Sequence, residues 1–288
     1  MAVLSDLYLA PLAITWNHDG GIVDLGFYEL RWYSLLFALG FALSFFLLKR
    51  VFKEENVPAE KLDVLLIYIV FATVLGARLG HCLFYEFDYY SQYPTEILLP
   101  FRFSPQFEFT GFQGLASHGG AIGIMIAVLV YSKIEKMNVY WVMDKLALAI
   151  PLACAFIRLG NLFNSEMVGH PTSAPWAVVF LQLDEVPRHP GQLYEAIAYF
   201  SIFLFLNLFY QKIRKLDGFI FGLFLVLMFS ARFALEFFKV DQVSFESGMA
   251  VNMGQLLSIP FITGGVYLMV RKVKTLKSAG DSIPERAV

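Results

Sequence analysis

Residues 141–163 read WVMDKLALAIPLACAFIRLGNLF. Between Lys145 and Arg158 the stretch carries no charge, and at about 1.5 Å rise per residue it is long enough to cross about 30 Å of hydrocarbon. Six more apolar stretches flank it: Trp32–Leu48, Leu62–Tyr85, Leu115–Tyr131, Leu193–Tyr210, Gly218–Phe238 and Gly254–Val270. The first, third and last are short for a span. The pattern predicts an all-α membrane protein of seven transmembrane helices in a single integral membrane domain. Composition agrees. Of 288 residues, 58% are apolar and 16% charged, whereas a soluble domain carries roughly 25% charge. A net charge of −2 gives no basic field for nucleic acid.

Lys and Arg set the orientation. One set of connections holds fourteen of them, including Lys49, Arg50, Lys133, Lys212 and Arg271, while the other holds only Arg31, Arg102, Arg188 and Lys239. The richer side is cytoplasmic, so the N-terminus is periplasmic and the C-terminus cytoplasmic. The start of the chain lacks a basic region, and Asp6 interrupts its apolar run, so it does not read as a signal peptide. Residues 1–28 are predicted to form an N-terminal arm on the outer face. Residues 164–192 hold Pro171, Pro175, Pro187 and Pro190 and are predicted to form a small non-helical periplasmic cap. No internal repeat suggests an inverted-repeat transporter.

Charges inside the spans carry the functional signal. Lys145 lies one turn into its helix and can snorkel to the cytoplasmic surface. Arg78, Arg158 and Arg232 lie deeper, at roughly 2.5–3.5 kcal/mol each on insertion scales. A purely structural reading pairs Arg232 with Glu236 one turn on. All three arginines fall in the outer halves of their spans, so their guanidinium groups can meet in one layer. Three cations at that depth call for an anion, and a phospholipid phosphate suits the planar fork of Arg. Asn161, Asn164 and Ser165 continue the Arg158 face at helical spacing and lead to Glu166 and Gly169.

Ser117-His118-Gly119-Gly120 opens the third span. His is readily poised to take a proton near neutral pH, and adjacent glycines let backbone approach a ligand. Tight helix packing through Gly119, Gly120 and Gly123 is the other reading. The remaining histidines have no metal-site spacing, and Cys82 and Cys154 read as packing residues rather than a disulfide or a metal site. A GxSxG nucleophile elbow is absent.

Together these residues resemble the prolipoprotein diacylglyceryl transferase family. The resemblance runs from Arg31-Trp32-Tyr33 to Ser258-Ile259-Pro260, and its most specific block is Arg158-Leu159-Gly160-Asn161 with Phe163-Asn164, Glu166 and Gly169. Gly76-Ala77-Arg78-Leu79-Gly80, His118-Gly119-Gly120, Arg188-His189-Pro190, Arg232 with Glu236-Phe237-Phe238 and Met253-Gly254-Gln255 stand around it in order. The resemblance implies transfer of a diacylglyceryl group from phosphatidylglycerol to the lipobox cysteine of a prolipoprotein signal peptide, at the periplasmic side of a bacterial inner membrane. It implies that Arg158 and Arg232 are essential phospholipid-site residues and that His118 and Tyr33 matter to catalysis. The candidate substrate-binding set adds Arg78, Asn161, Asn164, Glu166, Gly119, Gly120, Gly169 and Glu236. No cofactor is needed, because the lipid carries its own leaving group. Met228 and His170 depart from the family pattern, and no role is carried over to them.

His118 as general base for the thiol is one reading of the chemistry. The other is a thiol activated by the cationic surroundings, with His118 orienting the lipid. An anion transporter, a receptor, or a structural subunit bonded through its arginines are the competing classes; clustering of the polar groups at one depth argues against transport.

Overall fold

In the computed structural model, residues 14–26, 29–99, 101–102, 107–109, 114–240 and 251–278 are described. The chain divides into two compact units, Met1–Leu48 with Asp144–Val288, and Lys49–Met143. Most of the N-terminal arm expected at 1–28 lies outside the described residues. Six helices are long and apolar enough to cross a membrane: Trp32–Glu54, Ala59–Phe84, Val139–Phe163, Gly191–Ile213, Phe219–Phe238 and Met253–Val273. That is the pattern of a multi-pass membrane protein. A seventh apolar helix, Ser117–Ile134, is shorter. The first and last helices are longer than the apolar stretches predicted. Each runs on into its basic flank, where Lys and Arg have good helix propensity and long stems that cover apolar surface.

The first unit opens with β1 (Ile14–Trp16), β2 (Gly21–Asp24) and β3 (Glu29–Arg31), followed by α1 (Trp32–Glu54). The second unit contains α2 (Ala59–Phe84), α3 (Phe87–Gln92), a 3-10 turn (Pro94–Ile97), β4 (Phe101–Arg102), β5 (Glu108–Phe109) and α4 (Ser117–Ile134). The chain returns to the first unit along α5 (Val139–Phe163). Then come β6 (Val178–Phe180), β7 (Pro187–Arg188), α6 (Gly191–Ile213), α7 (Phe219–Leu235) and α8 (Met253–Ser278). The strands are an addition to the all-α expectation. β1 pairs in parallel with β6, which pairs antiparallel with β7, so residues near the N-terminus are tied to the 164–192 segment.

In the second unit α2 and α4 meet through glycines. A Cβ added to Gly119 would collide with the Gly76 carbonyl oxygen and lie 2.9 Å from the Gly80 Cα, and one on Gly123 would collide with the Ala72 carbonyl. Gly120 has only ordinary contacts, its nearest neighbour being the Thr73 carbonyl at 3.5 Å. Of the glycines proposed to face a ligand, Gly119 therefore has a packing reason of its own. Small residues are what allow helix backbones to approach so closely where lipid offers no hydrophobic drive between them.

In the first unit polar side chains bond to the backbone of neighbouring helices. Pro151 sits inside α5 and removes an N–H from the ladder. Ser44 from α1 donates to the Ala149 carbonyl (3.2 Å) and Asn207 from α6 to the Leu148 carbonyl (3.1 Å). The carbonyl left without its helical donor is that of Ala147, four residues before the proline; the two side chains bond the carbonyls beside it and tie α1 and α6 to this turn of α5. Asp144 performs a stronger service. Its buried carboxylate accepts from the backbone N–H of Gly218 (2.6 Å) and Phe221 (2.7 Å). It thereby caps the free N–H groups at the start of α7, where the helix dipole favours an anion. Gly218 has φ +91°, a conformation that glycine adopts at no steric cost. Asp144→Ala is expected to destabilise the fold by about 1–3 kcal/mol, because buried donors lose their acceptor. Thermal unfolding in detergent checks this, and Asp144→Asn should lose less.

Lys145 does not snorkel. It is 1% exposed and donates from Nζ to the Tyr210 hydroxyl (2.9 Å). With a hydroxyl and the Asp144 charge at hand, the ammonium has polar company without reaching solvent.

Candidate active site

Arg158 and Arg232 line the same cavity, of about 320 Å³. Arg158 comes from α5, with Ile150, Cys154 and Ile157 on the same wall; Arg232 comes from α7, with Phe224, Met228 and Phe229. Each set recurs at helical spacing, so one face of each helix builds one wall. Each arginine lies eight residues beyond the first wall residue of its helix, about 12 Å along the axis. The cavity therefore has a cationic end and an apolar body. Tyr199 of α6 closes it from the side.

Arg158 is held on two edges. Its Nε lies 2.7 Å from Glu195 Oε2, and Nη1 donates to Asn161 Oδ1 at 3.1 Å. Glu195, 1% exposed, also lies 3.0 Å through Oε1 from Lys239 Nζ, which is 3.5 Å from Glu236 Oε2. Arg158, Glu195, Lys239 and Glu236 thus form a mostly buried ionic chain from α5 across α6 to the end of α7. Removing one member of such a chain costs about 3–5 kcal/mol, since the partner is left charged in a dry site. Among the described residues the Arg232 side chain has no hydrogen bond or ion pair. The pairing of Arg232 with Glu236 is not formed. Glu236 instead forms a 3.5 Å ion pair with Lys239, does not line the cavity, and is buried against Gly254, whose added Cβ would lie 2.7 Å from its carboxyl carbon.

The other candidates gather around the outer end of α5. Tyr33 packs on Gly160, where an added Cβ would lie 2.9 Å from its ring. Asn161 is buried, and Asn164 Nδ2 donates to Glu166 Oε1. The Glu166 carbonyl accepts from Gln192 at 2.9 Å. Gly169 is a packing glycine: an added Cβ would lie 2.6 Å from the His189 Cβ and collide with the Phe238 carbonyl. Trp32 stacks on Phe163, with ring centroids 5.0 Å apart, and Trp16 and His18 meet the same ring edge-on. The β1–β2 segment is thereby fastened to the Arg158 helix.

His189 is a structural histidine. Trp176 Nε1 donates to the Tyr194 hydroxyl (2.7 Å), which stands 3.0 Å from His189 Nδ1. Burial pushes the imidazole pKa down, which favours the neutral ring.

Arg78 and His118 belong to the second unit. The Arg78 guanidinium is buried and donates from Nε to the Ile97 carbonyl (2.9 Å) and from Nη2 to the Glu96 carbonyl (2.7 Å). It lies 4.8 Å from the Tyr90 ring centroid. Cations suit the carbonyl end of a helical turn, so Arg78 has an occupation in fastening the Pro94–Ile97 turn to α2. His118 is the second residue of α4 and its side chain is exposed.

A family model described as prolipoprotein diacylglyceryl transferase matches residues 21–271. The chain belongs to the prolipoprotein diacylglyceryl transferase family. It is 44% identical over 262 residues to the phosphatidylglycerol–prolipoprotein diacylglyceryl transferase of Bacteroides fragilis, covering 90% of this chain and 95% of the relative. The protein of the same name from Tolumonas auensis is 44% identical over 261 residues, covering 90% and 97%. That from Porphyromonas gingivalis is 39% identical over 282 residues, covering 92% and 96%.

Two members of the ionic chain escaped the sequence reading of this family's candidate site. Glu195 stands near the start of its apolar stretch, the third residue of Leu193–Tyr210, and weighing anions at span ends alongside buried cations finds it. Lys239 reads as a loop charge by position, and nothing local marks it as buried.

Proposed function

We infer that this chain is a transferase of lipoprotein maturation, which moves the diacylglyceryl group of phosphatidylglycerol onto a prolipoprotein. The acceptor is the lipobox cysteine thiol of the signal peptide. A C–S thioether bond forms, the C–O bond between diacylglycerol and phosphate breaks, and glycerol phosphate leaves with the electron pair. The observation that carries the reading is the cavity with arginines at one end and apolar side chains along its body. Phosphate suits the arginines, and acyl chain suits Ile150, Ile157, Phe224 and Phe229.

Negative charge grows on the phosphate oxygens as the leaving group departs. Fixed guanidinium groups in a dry site stabilise that charge without reorganising. Asn161 orients Arg158, while Tyr33, Asn164 and Glu166 frame the outer end of α5, where the lipid headgroup and the thiol meet. The thiol reacts as thiolate, and His118 takes its proton as general base. Gly120 lets backbone near the lipid. Gly119, Gly169 and Arg78 act by packing, and Glu236 acts through Lys239.

The topology follows from α4 crossing as the seventh span. Counted so, the N-terminus is periplasmic, 1–28 is an outer arm, 164–192 is a periplasmic cap, the tail is cytoplasmic, and the site opens to the periplasmic side of the inner membrane. A reporter active only in the periplasm should be active when fused near Gln92 or Pro175 and silent near Glu54 or Leu216. Activity at Leu216 would overturn seven spans. For the chemistry, the purified chain should transfer acyl-labelled phosphatidylglycerol to a lipobox peptide and leave unlabelled a peptide with serine in place of cysteine. Equal labelling of both peptides contradicts the thiol acceptor.

A further inference from the structure

Two carboxylates stand close to the cavity arginines. Glu195 contacts Arg158, and Glu236 follows Arg232 by one turn, the spacing at which a helical Arg–Glu pair forms. Yet Arg232 has no ion pair among the described residues, and Arg158 gives Glu195 only its Nε edge. Lys239 explains both. It is 3% exposed, and its ammonium bridges Glu195 Oε1 at 3.0 Å and Glu236 Oε2 at 3.5 Å. The backbone fixes it there, since Lys239 forms a bridge with Gly169 and its N–H is bonded to the Glu236 carbonyl.

We propose that Lys239 is a positioning residue of the cavity: it occupies both buried carboxylates, so that Arg232 stays uncompensated and Arg158 keeps its Nη2 edge for an anion. This rests on the reading that the two arginines hold the phosphate of the lipid. A buried carboxylate deprived of its cation takes the next one in reach. Without Lys239, Glu236 swings to Arg232 and Glu195 draws Arg158 into a two-edged pair. The cavity then loses cationic charge while every arginine is still present.

The test is the saturation of transfer by phosphatidylglycerol at fixed peptide, expressed per folded enzyme. Lys239→Met should raise the lipid KM by about tenfold or more and leave kcat within about threefold, in the range of coupling seen between contacting charges. Lys239→Arg should behave like the parent. Lys239→Met with Glu236→Gln should recover most of the lipid KM, because the carboxylate that captures Arg232 is gone. A purely structural Lys239 instead lowers the yield of folded protein and leaves KM unchanged, and that outcome overturns the proposal. So does a double variant with a KM as high as the single one. Should Lys239→Met fail to accumulate, Lys239→Gln replaces it, keeping N–H donors without the charge, under the same outcomes. If Arg158→Ala also leaves the lipid KM and the rate unchanged, the phosphate-site reading itself has failed. If Arg158→Ala is impaired and Lys239→Met is not, only the role of Lys239 is lost.

Discussion

Arg158→Ala and Arg232→Ala should each abolish nearly all transfer while the protein still inserts. Removing one preorganised donor from a developing negative charge typically costs about 10²–10³ in rate, and here each substitution also removes a full cation. Arg232→Ala is the cleaner of the two. Its guanidinium has no ion pair among the described residues, so little of the fold depends on it. Arg158→Ala additionally leaves Glu195 with Lys239 alone, so its loss mixes chemistry with stability. Arg158→Lys separates geometry from charge. An ammonium lacks the fork that contacts Glu195 through Nε and Asn161 through Nη1 together, so it should be nearly as poor as alanine. Initial transfer rates normalised to membrane-inserted protein decide the matter. Wild-type turnover in Arg158→Lys would show that charge alone suffices.

His118→Gln should lower the rate by about 10²–10⁴, the usual worth of a general base. The variant should keep phosphatidylglycerol binding, since on the proposed reading the arginines hold the phosphate. The structure sharpens this test. In the His-Gly-Gly element the contact with α2 falls to Gly119, packed on Gly76, while the His118 side chain is exposed. Helix packing thus accounts for the glycine and leaves the histidine unexplained. A variant that retains catalysis but loses lipid affinity would make His118 a lipid-orienting residue. A loss under about tenfold counts against the base role.

Much of this was legible in the sequence because hydrocarbon imposes simple rules. Apolar length finds six spanning helices and the shorter α4, and buried cations find Arg158 and Arg232. The short strands were not legible. Elements of two to four residues carry no periodicity, and β1 pairs with β6 more than 160 residues away. Arg78 shows a second limit. Its partners are backbone carbonyls of Glu96 and Ile97, and no residue type announces such an acceptor. Lys239 shows a third, because position in a connection does not reveal that a charge is buried between carboxylates. In each case the missing information is a contact between segments far apart in the chain.

The decisive measurement is the product balance. Purified chain, phosphatidylglycerol and a lipobox peptide are incubated without added metal or cofactor, and both products are quantified by mass spectrometry. The transferase reading predicts peptide heavier by one diacylglyceryl group on the cysteine sulfur and an equal amount of released glycerol phosphate, both absent with Arg232→Ala. Unmodified peptide alongside hydrolysed lipid, or no consumption of lipid by an inserted and folded protein, would contradict it.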